Sequence, residues 1–214
     1  MTASSARSEI RRLPDRGSYD PAVINAIFDE ALICHVGFLD EGGRPVVIPT
    51  IHARIGETLY LHGSPASRML RTLAAGSQVS VTATLVDAIV LAKSHFHHSM
   101  NYRSAVVFGT ARAVTDADEK TAAFRAIVDH LVAGRWEGAR RPNEKESKAT
   151  AVVAIDIEEA SAKQRTGPPV DDAEDMALPH WAGLIPVALE RGQLEPVDQT
   201  PLPDHVRNWS PAGS

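Results

Sequence analysis

The chain is poor in thiols. Its single cysteine, Cys34, excludes an internal disulfide and any paired-thiol zinc or redox motif. It sits in the apolar run ALICHVGFL, the setting of a buried, inert thiol. Long apolar runs are missing too, since no stretch reaches the ~18 residues that mark a membrane-spanning helix. The opening MTASSARSEIRRL has no apolar core of the kind a secretory leader carries. A soluble, cytoplasmic protein with no membrane partner is the expectation. Positive charge is not in excess: 22 Lys and Arg face 27 Asp and Glu, net −5 with a pI near 6.0. That balance argues against nucleic acid as a partner. Fixed-spacing motifs are also absent. There is no GxGxxG, no P-loop, no HExxH and no GxSxG, which removes a Rossmann site, a nucleotide triphosphate cradle, a zincin and a hydrolase elbow. No period of 20–50 residues marks a repeat protein.

What is present is patterning for one domain and a tail. With 43% hydrophobic residues in 214, the chain can bury a full core. Residues 1–18 are polar and basic and read as a flexible arm. Asp20-Pro21 opens a helix, with Asp as cap and Pro in the first turn, and Val23, Ile24 and Ile27 follow at helical spacing. A strand over 31–39, a turn at 40–44, a strand over 46–54 and a strand over 58–62 form an antiparallel meander. Ser64-Pro65 starts the next helix, with Met69, Leu70 and Leu73 as its buried stripe and Gly76 as its stop. Strands over 79–85 and 102–114 come next. A capping box at Thr115 to Asp118-Glu119 then opens a helix that runs to about 132 with Phe124, Ile127, Val128 and Leu131 inside. A short helix near 144–148 and a strand over 150–157 complete the domain, 19–166. From 167 to 214 the chain is proline-rich and reads as an extension pinned at Trp181 and Leu184-Ile185. The order predicts a mainly β fold with flanking helices, a six-stranded antiparallel barrel.

Two segments carry the chemistry: PVVIPTIHARIGETLYLHGSPASR from Pro45 and NYRSAVVFGTAR from Asn101. The first places Ser64, Ser67, Arg68 and Arg71 at the start of a helix. Unpaired amides, hydroxyls and guanidinium groups there suit a phosphate, although a capped surface helix with solvated arginines gives the same pattern. Arg103 and Ser104 open a long strand and add a second phosphate contact if strands 58–62 and 102–114 are neighbours; otherwise Arg103 pairs with an acid. Apolar strands beside the phosphate site could hold a flat ring, and a phosphate with a ring indicates FMN. His62 and Gly63 end a strand directly before this turn. His62 is either a core histidine or the group beside the ring that tunes or protonates it. His95, His97 and His98 lack a carboxylate or thiolate partner nearby, so no metal site is expected from them.

From about Asp20 to Lys163 these segments, with the strand over 148–157 and Ser161-Ala162-Lys163 behind it, occur in an order and spacing that resemble the pyridoxamine 5′-phosphate oxidase-like superfamily, the FMN-binding split barrels. The closer resemblance is to the branch of nitroimidazole-reductase-like flavoproteins. The resemblance implies a homodimer with FMN in a groove between subunits and a small-molecule substrate. It places Val47, Ile48, Pro49 and Thr50 along the isoalloxazine ring, and His62 beside it. Ser67 and Arg68 fall at the phosphate and Ser104 at a polar cofactor contact, while Gly63, Ser64 and Arg103 join the expected cofactor-binding set from their own positions. The function it implies is an FMN-dependent oxidoreductase. The alternatives are F420 or haem on the same fold, or a flavin-binding sensor without turnover. The acidic, proline-rich stretch GPPVDDAEDMALP stands where true pyridoxamine phosphate oxidases carry a basic region, which argues against vitamin B6 oxidation.

Overall fold

The structure, a computed structural model, describes residues 5–211. From Ser5 the N-terminal segment is tied to the barrel. Ser5 Oγ donates to Glu159 Oε2 at 2.6 Å, Arg7 pairs with Glu159 at 2.8 Å, and β1 (Gly17–Ser18) pairs with a late strand. Helix α1 (Pro21–Glu30) starts as its sequence dictates: Asp20 accepts from the Ala22 amide and Pro21 occupies the first turn. Its buried face is Ile24, Ile27 and Phe28.

Strands β2 (Cys34–Leu39) and β3 (Pro45–Thr50) form the expected hairpin, closed by Asp40, whose carboxylate accepts from the amides of Gly42 and Arg44. The strand expected over 46–54 is in fact two. β3 stops at Thr50, Ile51-His52 turns the chain, and β4 (Ala53–Ile55) pairs with β5 (Thr58–Gly63). The break has a physical cause: His52 is fully buried and donates from Nε2 to the carbonyl of Phe28 at the end of α1, 2.9 Å away. Helix α2 (Arg68–Ala74) follows β5 and ends at Gly76, which adopts φ +92.

The centre of the sheet is the long hairpin of β6 (Gln78–Leu91) and β7 (Ser99–Ala113). Helix α3 (Ala117–Leu131) is capped by Asp116, whose carboxylate accepts from the Glu119 amide at 2.8 Å, one residue later than the expected Thr115 cap. Helix α4 (Glu144–Lys148) carries a full capping box between Asn143 and Glu146. Then come β8 (Ala151–Asp156), β9 (Glu159–Arg165), β10 (Gly183–Pro186) and α5 (Asp204–Arg207).

The strands join in one antiparallel sheet with the path β3-β2-β6-β7-β8-β5-β4, with β9 on β7 and β10 on β6. The six expected strands become ten because one breaks in two and because β1, β9 and β10 add pairings that local pattern did not show. β3 and β4 are opposite ends of that path although only two residues separate them. This is a barrel split between β3 and β4, mainly β with helices outside. Leu59, Leu61, Leu70, Leu73, Val81, Val107 and Ile155 fill it together with the α1 face. A second, smaller core lies outside, where Ala123 and Ile127 of α3 cover Tyr60, Val152 and Ala154. Cys34 has no exposure, and burial pushes its thiol up to about 12, so it is inert.

Candidate functional site

Helix α2 begins later than Ser64-Pro65. Ser64 to Ser67 form a turn in which the Ser67 amide donates to the Ser64 carbonyl (2.9 Å), and Ser64 Oγ accepts from the Ala66 amide (3.2 Å). Ser67 is the N-cap residue, yet its hydroxyl makes no capping bond. Arg68 and Arg71 lie one helical turn apart, so they share a face. Both are exposed, and neither guanidinium bonds to any described residue. Most of the arginines elsewhere are engaged: Arg54 with Asp29, Arg112 with Glu119, Arg140 with Glu146. The turn therefore offers a free hydroxyl and two free guanidinium groups, donors suited to a phosphate.

Arg103 is placed differently from the phosphate role expected of it. Strand β8 lies between β5 and β7, so the strand carrying Arg103 is not beside the strand carrying His62. Its guanidinium bonds both carboxylate oxygens of Glu30, and Nη2 reaches Asp87 Oδ1 at 2.8 Å. These two acids raise its pKa further. With its donors taken, Arg103 is a structural cation. Ser104 Oγ likewise donates within the sheet, to the Lys163 carbonyl at 3.2 Å.

Val47, Ile48, Pro49 and Thr50 form the outer edge strand of the barrel. Pro49 suits this place because an edge strand has an amide row without partners. Val47 is 66% exposed, and its row alternates exposed and half-buried residues. No hydrogen bond joins this strand to the Ser64–Arg68 turn among the described residues. The two halves of the expected cofactor site lie on one molecule without touching through such bonds.

His62 lies on the outer face of β5. Leu59 and Leu61 point into the barrel core, whereas Tyr60 and His62 alternate to the face under α3. There His62 lines a cavity of about 310 Å3 whose walls are mainly apolar. Phe124, Ile127 and Val128 come from α3, Trp136 from the loop after it, and Arg140 from the far side. Among the described residues His62 makes no hydrogen bond, and its Nδ1 is buried without a partner there. Burial lowers its pKa and holds the ring neutral. The cavity wall was legible only in part. Phe124 and Val128 read as core, but α3 buries Ala123 and Ile127 and leaves these two facing the cavity. Trp136 was missed, although a tryptophan inside the polar stretch 135–149 is a signal in itself.

Two histidines of the loop before β7 are engaged. His97 Nε2 lies 3.2 Å from Asp172 Oδ2 in the C-terminal extension, and His98 Nδ1 donates to the Ser94 carbonyl at 2.9 Å.

An antiparallel split barrel with outer helices and a basic turn after its fifth strand defines a class of fold. Residues 20–164 match the family model described as pyridoxamine 5′-phosphate oxidase, and the chain belongs to that family. Among solved structures it is similar to the flavocytochrome Anf3 from Azotobacter vinelandii, with 37% identity, 96% of this chain and 97% of that one covered, and a TM-score of 0.88. It is similar also to an FAD and haem binding protein from Mycobacterium smegmatis, with 34% identity, 92% and 98% covered, and a TM-score of 0.86. A candidate 5-nitroimidazole antibiotic resistance protein from Bacteroides thetaiotaomicron is 25% identical over 69% of this chain and 85% of its own, with a TM-score of 0.59. No curated sequence matches the chain.

Proposed function

We propose that the protein is a flavin-dependent oxidoreductase that works on a small molecule as a homodimer. The observation that carries this reading is the turn at Ser67, Arg68 and Arg71, where two exposed guanidinium groups have no partner among the described residues. A phosphate ester satisfies them with charge-assisted hydrogen bonds. Two relatives that align over nearly the whole chain support it: one is a flavocytochrome, the other an FAD and haem binding protein. Both FMN and FAD would present a phosphate to this turn. We favour FAD, because the second relative, an FAD and haem binding protein, aligns with 92% of this chain.

When bound, the flavin supplies hydride and single-electron chemistry. The chain's own residues do the rest. Arg68 and Arg71 hold the phosphate, with the Ser67 hydroxyl beside them. The apolar edge strand, Val47, Ile48 and Pro49, offers a flat surface for the ring and shields it from water. Ser64 shapes the turn, its Oγ accepting from the Ala66 amide.

A second reading adds haem to the flavin, and a specific observation favours it: His62, with no hydrogen-bond partner among the described residues, lines a mainly apolar cavity.

The test is reconstitution of the purified chain with FAD and, separately, FMN. Stoichiometric flavin absorbance is expected, with FAD bound more tightly. Arg68→Ala should weaken flavin binding by ~1.5–3 kcal/mol, the scale of a hydrogen bond to a charged group. A chain that takes neither flavin ends the proposal; unchanged affinity in Arg68→Ala ends the assignment of the turn.

A further inference from the structure

We infer that the cavity between β5 and α3 binds a small neutral molecule of one or two fused rings that carries a hydrogen-bond acceptor such as a carbonyl. The inference goes beyond the flavin reading and does not need it. It claims the cavity that the haem reading would use, and titration separates the two.

The first observation is the size and make of the chamber. Its volume is about 310 Å3. That is the lower end of the range for ligand sites, about 300–1,000 Å3, and roughly twice the ~150 Å3 cavity that holds a benzene. Phe124 and Trp136 put aromatic surface in its wall, and Ile127 and Val128 put aliphatic surface beside them. Flat rings pack well against such a wall.

The second observation is charge. Arg140 and Glu146 both line the cavity, and they neutralise each other: Nη2 donates to Oε1 at 2.7 Å and Nη1 to Oε2 at 3.0 Å. Glu146 also accepts from the Asn143 amide at 2.8 Å. Burial keeps the His62 ring neutral. The lining therefore carries no net charge and keeps no free ion for a charged ligand. An ion brought in would lose its hydration without a counter-charge to replace it.

The third observation is which polar atoms are left over. The Thr150 hydroxyl is committed, donating to the Glu146 carbonyl at 3.0 Å. His62 Nδ1 is sealed from solvent, whereas Nε2, also without a partner among the described residues, is not sealed. A neutral imidazole has one N–H and one lone pair. A sealed N–H with no acceptor is the rarer kind of orphan, which assigns the proton to Nε2 and the lone pair to Nδ1. The accessible nitrogen is then a donor. The Trp136 indole N–H likewise bonds to no described residue. With donors left over and every acceptor side chain engaged, the ligand has to supply the acceptor.

The fourth observation is that the wall is held in place. His205 lies against Gly138, where an added Cβ would come within 2.5 Å of the imidazole Cε1, and Trp209 donates from its indole to the Leu131 carbonyl at 2.7 Å. The Trp136 amide donates to Asp129 Oδ1 at 2.9 Å. A cavity built in advance spends little of the binding energy on ordering itself.

The test titrates the full chain with coumarin, a neutral fused bicycle with a lactone carbonyl, and with naphthalene, a hydrocarbon of similar size. Coumarin should bind saturably at one per chain and more tightly than naphthalene, and the anionic coumarin-3-carboxylate should bind at least about tenfold more weakly than coumarin. His62→Phe keeps a ring in the cavity and removes the donor. It should lower coumarin affinity about threefold to tenfold, the scale of one neutral hydrogen bond, and leave naphthalene affinity as it was. Val128→Phe fills the cavity and should abolish both; should it fold poorly, Ala139→Trp fills it from the exposed loop. Parental coumarin affinity in His62→Phe, or in either well-folded filled variant, would overturn the inference. So would a wild-type chain that binds neither bicycle or prefers the carboxylate. FMN that displaces coumarin would make the cavity part of the flavin site, and hemin that displaces it would give the cavity to haem; either result overturns the inference. Coumarin bound equally with and without FMN upholds the site, whether or not the chain takes flavin.

Discussion

His52 has no exposure to solvent, although its side chain is polar and titratable. It is tolerated because it completes a helix end. Nε2 donates to the Phe28 carbonyl, and His130 donates from its own Nε2 to the Ala31 carbonyl, so two imidazoles 4.9 Å apart serve the carbonyls that α1 leaves open. Burial is the main cause that lowers the His52 pKa from 6.5 to about 4; nearby His130 pushes the same way, while the Phe28 carbonyl and Asp29 oppose. The folded pKa lies below the unfolded one. The stabilising contribution is therefore complete above pH 6.5 and is lost as pH falls towards 4, and by linkage it amounts to roughly 3 kcal/mol. Urea midpoints should drop across that window, and His52→Phe should flatten the profile even if it lowers stability overall. A parental pH profile in His52→Phe would show that His52 is not the group responsible. Nothing in the sequence distinguished this histidine, because its partners lie 24 and 78 positions away. The same blindness misplaced Arg103, whose acids are 73 and 16 residues distant. Arg103→Leu should destabilise the fold by ~1–3 kcal/mol, since Glu30 and Asp87 lose their shared cation in a half-exposed site. Flavin affinity should not change; a selective loss of flavin binding would return Arg103 to the cofactor site.

At the scale of elements, the sequence was most legible where a signal was local. The Asp20-Pro21 start of α1, the Asp40 turn, the Gly76 stop and the helix at Glu144 each depend on residues within a few positions of one another. Breaks imposed by distant partners were not legible, as at His52 between β3 and β4. Gly109 is a further case. It lies in β7, pairing with Val79 of β6, where β7 leaves β9 and approaches β8. A Cβ there would come within 2.1 Å of the Asp156 carbonyl oxygen, a backbone atom that cannot rotate away. Gly109→Ala must push β7 and β8 apart. Overpacking of this kind costs about 1–3 kcal/mol or more, which at ~2–4 °C per kcal/mol for a chain of this size predicts a fall of several degrees in Tm. An unchanged Tm would mean that the crossing relaxes freely. The residue reads as an ordinary strand glycine, because the carbonyl it accommodates belongs to a strand more than 40 residues on.

At the scale of the whole molecule, the exposed apolar surface argues for a second copy. Val47 on the edge strand is 66% exposed, Phe96 at the tip of the β6–β7 hairpin 89%, and Trp181 in the extension 66%. Scattered exposed apolar residues are ordinary, but Val47 stands on an edge strand, and a bare edge invites pairing unless something covers it. The split between β3 and β4 leaves that edge open on the same molecule that holds the basic turn. A second protomer laid over the edge would cover Val47 and complete the ring face of the proposed flavin site, whose proposed phosphate donors, Arg68 and Arg71, have no partners among the described residues. The expected solution mass is therefore twice 23.0 kDa, at micromolar concentration and with flavin bound. Val47→Glu places a charge in the covered face, should shift the mass to that of one chain, and should weaken flavin binding in step, because the site loses its second wall. Light scattering together with flavin titration reads both. A wild-type chain of single mass that still binds flavin tightly would defeat the shared site, as would a Val47→Glu monomer with parental flavin affinity.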